Sequence, residues 1–388
     1  MSSHIKEYTV AYVTSSRADY GIVRNYLKLL NNDSNINLSI LVTGTHLSND
    51  FNMSVNDIEK DNFKIALRVK YSINSFDTAA ILKNMAICLE EFGSHFMKNK
   101  YDLLIVLGDR YEILMASIAA AMQGIKILHL HGGELTFGNY DEFIRHSITK
   151  MSKFHFTSTP EYQKRVIQLG ENPKNVFYMG ALGAENCLNI NRDNVYDNIL
   201  ELSNKKYFVI LFHPETLTNS NLKYQLSQLI LALSQYSNKF DFVFIGSNAD
   251  TNSNIIKETW IDYVKINKNT LYIENLNSDS FLYLIKNAQL LIGNSSSGII
   301  EAPTLGTYTI NIGERQNGRI RASSVLDTKC RSEDISKSIS NALIMKEKRQ
   351  TICNPYYKKN AAKNYYSKTK DILLLNCTNV KEFYDINI

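Results

Sequence analysis

Taken as a pattern of apolar and polar positions, the chain divides into short β-branched runs with stretches of helical spacing between them. One series is YTVAYVT (8–14), INLSILVTG (36–44), DLLIVLG (102–108), KILHLHG (126–132), FHFTST (154–159) and VFYMG (176–180). A second is YFVILFHPET (207–216), FDFVFIGS (240–247), NTLYIENL (269–276), AQLLIGNSS (288–296) and TYTINIG (307–313). Strand runs alternating with helical patterns predict βαβ units and parallel sheets. The expected fold class is α/β, with two Rossmann-like doubly wound domains. Residues 1–183 form the first domain, the polar stretch 184–206 with LNINRDNVYDN a linker, and 207–360 the second domain. Residues 361–388 are expected to fold back as a helix onto the first.

Composition agrees with two cores, since 388 residues at 44% hydrophobic exceed what one core normally holds. The formal charge of +5 is spread without a dense Lys/Arg block, so neither nucleic acid nor an anionic membrane is called for as a partner, and a small anionic ligand suffices. MSSHIKEYTVAYVTSSRADYG lacks the basic, apolar and small-residue segments of a secretory signal, so a cytoplasmic location is expected. ILMASIAAAMQGIKILHL (113–130) is the most apolar long stretch, but Gln123, Gly124 and Lys126 interrupt it, and it reads as a buried helix followed by a strand. Cys88, Cys187, Cys330, Cys353 and Cys377 are odd in number and scattered, which fits reduced thiols rather than a disulfide frame or a zinc site.

Open α/β sheets bind ligands at the carboxyl ends of their strands. The residues there are unusually reactive in kind: TSSRAD, TGTH, GDRYE, HLHGGE, HPET, GSNAD and GNSSSG. GNSSSGIIEAP (293–303) puts Ser295, Ser296 and Ser297 at the start of a short helix. Exposed N–H groups and a helix dipole there suit a diphosphate, although the same serines can simply cap a helix. Glu301, about one turn on, is placed to accept from both hydroxyls of a ribose. The absence of GxGxxG disfavours a dinucleotide. Arg17 follows the first strand and suits bidentate contact with a phosphate or a solvated surface position. Arg315, Arg319 and Arg321 of GERQNGRIRA either neutralise the same anion or form a charged face.

Asp109, Glu112, His129, His131, Glu134, Asp141, Glu142 and His146 gather after two neighbouring runs. His129 and His131, two apart on a strand, would face one side and invite a metal reading, but no third ligand stands at a definite spacing, so no metal is assigned. Gly132 and Gly133 suggest backbone approaching a ligand. An acid/base cluster is the better reading, because crowded carboxylates and an imidazole supply both proton acceptor and donor. Asp141 opens a helix with Phe143, Ile144, Ile148 and Met151 at helical spacing; capping is its plainer role, and Arg145 is placed to hold it. His213, before a proline at a strand end, is expected to face the first domain.

GDRYE, HGGE, DEFIRHSITKMS, RVIQLGE, FHPET, GNSSSGIIEAP and INIGERQNGR, in this order, closely resemble the hydrolysing UDP-N-acetylglucosamine 2-epimerases of bacterial sialic acid biosynthesis. The resemblance implies a glycosyltransferase-B architecture with an interdomain cleft, UDP held mainly by the second domain, no metal or nicotinamide cofactor, and a homo-oligomer. It implies that UDP-N-acetylglucosamine and water give N-acetylmannosamine and UDP through a 2-acetamidoglucal. By the same resemblance Asp109 and Asp141 match catalytic acidic positions, His213 a strand-end histidine, and Ser295, Ser296 and Glu301 the diphosphate and ribose contacts. Many relatives carry Glu where this chain has His131, so the base is either an imidazole or neighbouring Glu134; Asp109 and Glu134 are assigned ahead of His131. Two other readings share the UDP site. One is a hydrolysing UDP-N,N'-diacetylbacillosamine 2-epimerase of legionaminic acid biosynthesis, the other a UDP-sugar-dependent glycosyltransferase.

Overall fold

A computed structural model describes residues 6–49, 53–72, 78–137, 139–215, 221–246, 252–348, 350–375, 377–378 and 380–386. The chain forms two compact units. One comprises Met1–Glu134, Asp141–Leu182 and Lys358–Ile388, the other Leu135–Tyr140 and Gly183–Tyr357.

The first unit is built on seven parallel strands: β1 (Tyr8–Thr14), β2 (Ile36–Val42), β3 (Ile65–Arg68), β4 (Leu103–Leu107), β5 (Ile127–Leu130), β6 (Phe154–Thr157) and β7 (Val176–Tyr178), in the order β3-β2-β1-β4-β5-β6-β7. The second has β8 (Tyr207–Leu211), β9 (Asp241–Ile245), β10 (Thr270–Ile273), β11 (Leu290–Gly293), β12 (Tyr308–Ile312) and β13 (Val325–Thr328), in the order β10-β9-β8-β11-β12-β13. Both are doubly wound, and each strand order reverses at one point, between β1 and β4 or between β8 and β11. Each expected run contains one of these strands, usually shortened at its carboxyl end where polar residues begin. The edge strands β3 and β13 carry no such run, because each is only four residues long and one of those is charged, Arg68 or Asp327.

In the first unit Tyr12, Tyr26, Phe156 and Tyr365 lie wholly buried. The helix Ala361–Leu374 packs on the helix Arg17–Asn31 here. Tyr365 stands edge-on to Tyr26 at 5.6 Å and to Phe156 at 4.9 Å, and its hydroxyl donates to the Gly180 carbonyl at 2.7 Å. In the second unit Trp260 packs on Phe244 with ring centres 4.6 Å apart. The stretch 184–206, expected to be a linker, instead folds with the second unit: Val195, Ile199 and Leu202 are buried against Tyr207, Val209 and Leu284. These three apolar positions are scattered among polar residues, so composition alone hides them. The apolar stretch 113–130 divides into the helix Tyr111–Met122 and β5. No helix among the described residues is long and apolar enough to cross a membrane.

Tyr365→Ala removes a buried ring and a buried hydroxyl bond together. Its expected cost to the first unit is about 3–5 kcal/mol, against about 1 kcal/mol for Tyr365→Phe. Urea titrations of the two variants should reproduce this ordering; equal losses would refute the ring's role.

Candidate active site

At the reversal point of the first sheet, the turns after β1 and β4 leave the strand ends side by side. After β1, Ser16 caps the helix Arg17–Asn31 and Asp19 completes a capping box, so Arg17 is the first helical residue. Asp19 also accepts from Thr14 and Ser15, and His46 bonds Thr14 at 2.9 Å and Ser54 at 2.8 Å. After β4 comes Asp109, whose side chain is 22% exposed and paired with Arg145. Arg145 is itself 1% exposed; its Nη1 donates to the Glu134 carbonyl at 2.9 Å and lies 3.6 Å from Glu142. The arginine expected to hold Asp141 thus ties Asp109 to the Glu134 backbone. It can do so because it lies one turn inside the helix Asp141–Met151, on the face buried against the sheet.

β5 ends at Leu130, and His131 takes a left-handed φ of 64°. The alternation that would put His129 and His131 on one side is therefore broken. His129 points inward, Nε2 to the Gly108 carbonyl at 2.8 Å and Nδ1 to Thr149 at 3.1 Å. His131 lies with Nδ1 3.3 Å from Glu134 Oε1, and the same oxygen accepts from Ser158 at 2.7 Å. The opposite nitrogen, His131 Nε2, is buried and has no partner among the described residues. A carboxylate on one ring nitrogen with the other left open is the arrangement that orients an imidazole for proton transfer. At Gly133 φ is 80° and a side chain would strike the Tyr162 carbonyl, so glycine permits a close approach to the helix Pro160–Gln168. Glu112 is fully buried, bonded by Tyr71 at 2.7 Å and Arg110 at 3.3 Å. No group of three or more His, Cys, Asp or Glu among the described residues has the geometry to hold a metal ion.

In the second unit, β11 ends at Gly293, with φ 149°, where any side chain would strike the Leu211 carbonyl of β8. Asn294 follows, fully buried, and grips both backbone groups of His213: its Oδ1 accepts the His213 N–H at 2.7 Å and its Nδ2 donates to the His213 carbonyl at 2.8 Å. The Asn294 carbonyl in turn accepts from Arg315 at 3.2 Å and Gln316 at 2.9 Å. Ser295, Ser296 and Ser297 are half-buried beyond this clasp, and the one-turn helix Ser297–Ile300 starts there. The Ser297 N–H turns to Ser295 Oγ at 3.4 Å, while those of Ser295 and Ser296 donate to no backbone or side-chain group among the described residues. Glu301 is 7% exposed beside Gly183, where a side chain would collide with its carboxylate. Burial and the nearby Arg315 charge hold the His213 imidazole well below its usual range, so it is neutral here. Arg321 is held by Asp327 at 3.1 Å, a partner its spacing did not reveal.

Sequence reasoning missed three groups that build these sites. Asn294, Ser158 and the Asp19–His46 web are polar residues buried at strand ends; the signal for Asn294 was its place directly after Gly293, and for Asp19 the S-x-x-D capping box.

The first unit thus carries an acid and imidazole cluster at its strand ends, and the second a serine turn at its strand reversal. The family model described as UDP-N-acetylglucosamine 2-epimerase matches residues 28–369, and the chain belongs to that family. Polysialic acid biosynthesis protein P7 of Escherichia coli is 46% identical over 384 residues, covering 97% of this chain and 97% of that protein. The GDP/UDP-N,N'-diacetylbacillosamine 2-epimerase (hydrolyzing) of Campylobacter jejuni is 37% identical over 329 residues, covering 84% and 85%. In fold the chain is similar to the Methanocaldococcus jannaschii UDP-GlcNAc 2-epimerase solved with UDP-GlcNAc and UDP, with a TM-score of 0.79 at 19% identity, over 94% of this chain and 99% of that one.

Burial lowers the His129 imidazole to about 3. Its ordinary value is about 6.5, so as pH falls between these limits the unfolded chain binds a proton that the folded chain refuses, and stability declines. Burial displaces His155 and His213 in the same direction. Unfolding free energy should thus fall as pH drops below about 6.5; His129→Gln should make that acid limb shallower by up to about 1.4 kcal/mol per pH unit. Urea titrations at stepped pH check it, and a slope equal to the parent's would contradict His129 as a source.

Proposed function

We propose that this enzyme is a hydrolysing 2-epimerase that converts UDP-N-acetylglucosamine and water to N-acetylmannosamine and UDP for sialic acid synthesis. The observation that carries the chemistry is a pair of distinct proton-handling groups after the neighbouring strands β4 and β5: Asp109 fixed by Arg145, and His131 backed by Glu134 and Ser158. Removal of the proton at the sugar's second carbon with loss of UDP, followed by addition of water at the anomeric carbon and return of a proton to the opposite face, needs two such groups. Asp109 and His131 fill these roles, with Glu134 orienting His131 and Asp141 a further acid at the head of its helix. The Ser295–Ser297 turn, with Arg315 beside it, takes the diphosphate, and Arg17 of the first unit is a further phosphate-binding candidate. Glu301 accepts from the ribose, and His213, kept neutral, forms part of the same wall. No cofactor enters this scheme.

The extent of identity with the polysialic acid biosynthesis protein favours the N-acetylglucosamine substrate. The Campylobacter relative supports UDP-N,N'-diacetylbacillosamine as the second reading, a sugar that differs at its fourth and sixth carbons. Five free cysteines and a nucleotide-sugar substrate fit a cytoplasmic enzyme.

In heavy water, proton NMR of the enzyme with UDP-N-acetylglucosamine should show N-acetylmannosamine deuterated at its second carbon; product without deuterium there rejects the elimination route. Asp109→Asn should abolish UDP release and leave UDP binding nearly intact, read by coupled assay and calorimetry. Glu301→Ala should weaken UDP binding by about 1.5–3 kcal/mol, and unchanged affinity would remove Glu301 from the ribose.

A further inference from the structure

The segment that follows the helix Ala361–Leu374 crosses back over the helix Asp141–Met151, and no step of the proposed reaction uses it. We infer that this segment is a positioning strap, in which Lys381 and Phe383 hold the carboxyl end of the helix Asp141–Met151 so that Arg145 presents Asp109 in its reacting orientation. The inference rests on the proposed role of Asp109.

Lys381 donates to the carbonyl of Thr149 in the last turn of that helix at 2.9 Å and to that of Ser152 just past its end at 2.6 Å, where a cation also meets the negative end of the helix dipole. Its ammonium pairs with Glu171 at 2.7 Å. Glu171 is 2% exposed and also receives Lys150 at 2.8 Å and His155 at 3.1 Å. Burial alone would raise this carboxyl, but the bond from His155 and the charges of Lys381 and Lys150 prevail and bring it to about 2, so the knot stays ionised. Burial lowers the Lys381 ammonium to about 8. The strap is fastened at other points. Lys153 donates to the Val380 carbonyl at 2.6 Å, the Tyr384 N–H to the Gly170 carbonyl at 2.9 Å, and the Phe383 ring covers Gly170 with Lys150 4.9 Å from its centre.

Two routes lead from this knot to Asp109. Arg145, one turn before Thr149, grips Asp109 itself. The Thr149 hydroxyl holds His129, which holds the Gly108 carbonyl next to Asp109 in the chain. A helix end free to fray would loosen both, and small displacements of a reacting group are costly to the chemical step while leaving nucleotide contacts in the second unit untouched.

Lys381→Met leaves Glu171 paired with Lys150 and His155, so no lone charge is buried. With UDP-N-acetylglucosamine, kcat should fall about tenfold while KM and UDP affinity stay within about twofold; Lys381→Arg should recover most of the loss, and Phe383→Ala should move kcat the same way. Hydrogen–deuterium exchange over residues 141–152 of the full chain should quicken about tenfold in Lys381→Met, whether or not this sugar nucleotide is turned over. Parent enzyme that releases no UDP would overturn the proposed reaction and leave the strap to be judged by exchange. Unchanged exchange over 141–152, or a joint fall of kcat and UDP affinity, would overturn the strap.

Discussion

The first unit depends on one buried guanidinium. Arginine cannot shed its charge, so at 1% exposure Arg145 is tolerable only if acceptors converge on it from several parts of the chain. They do: Asp109 from the end of β4, the Glu134 carbonyl from the turn after β5, and Glu142 from its own helix. Satisfying that one cation brings separate strand ends into a single arrangement. The acids are therefore gathered by a structural requirement before any substrate is considered.

The second unit solves the corresponding problem with a neutral hub. The Asn294 amide joins the ends of β8 and β11 without adding charge, so the positive contribution of Arg315 is not cancelled next to the serines. A carboxylate in the same place would accept the His213 N–H but have no proton to donate to its carbonyl, and it would repel any phosphate. The two hubs thus have the electrostatic character their surroundings need: a cation that assembles acids in one unit, an uncharged amide that leaves a turn open to an anion in the other.

The centres of both sheets are legible because their strands are unbroken apolar runs, and the sites are placed on strand ends by topology alone. What escapes has a physical reason in each case. β3 and β13 are four-residue edge strands with a charged residue, Arg68 or Asp327, among few apolar ones, so no run marks them. The stretch 184–206 reads as a linker because its buried Val195, Ile199 and Leu202 are diluted by polar neighbours. Partners are the least legible. Arg145 and Asp109 are 36 residues apart and Asn294 and His213 are 81 apart, and no local spacing encodes such pairs. The left-handed turn at His131 likewise ends a strand that alternation would have continued.

The Asn294 clasp has a consequence for how tightly its turn can hold a guest. Both backbone groups of His213 are engaged and Gly293 sits against the Leu211 carbonyl, so the connection has little conformational freedom left to surrender on complex formation. In the diphosphate-binding role proposed for this turn, affinity would be governed by stripping water from the anion and from the serine amides rather than by ordering a loop.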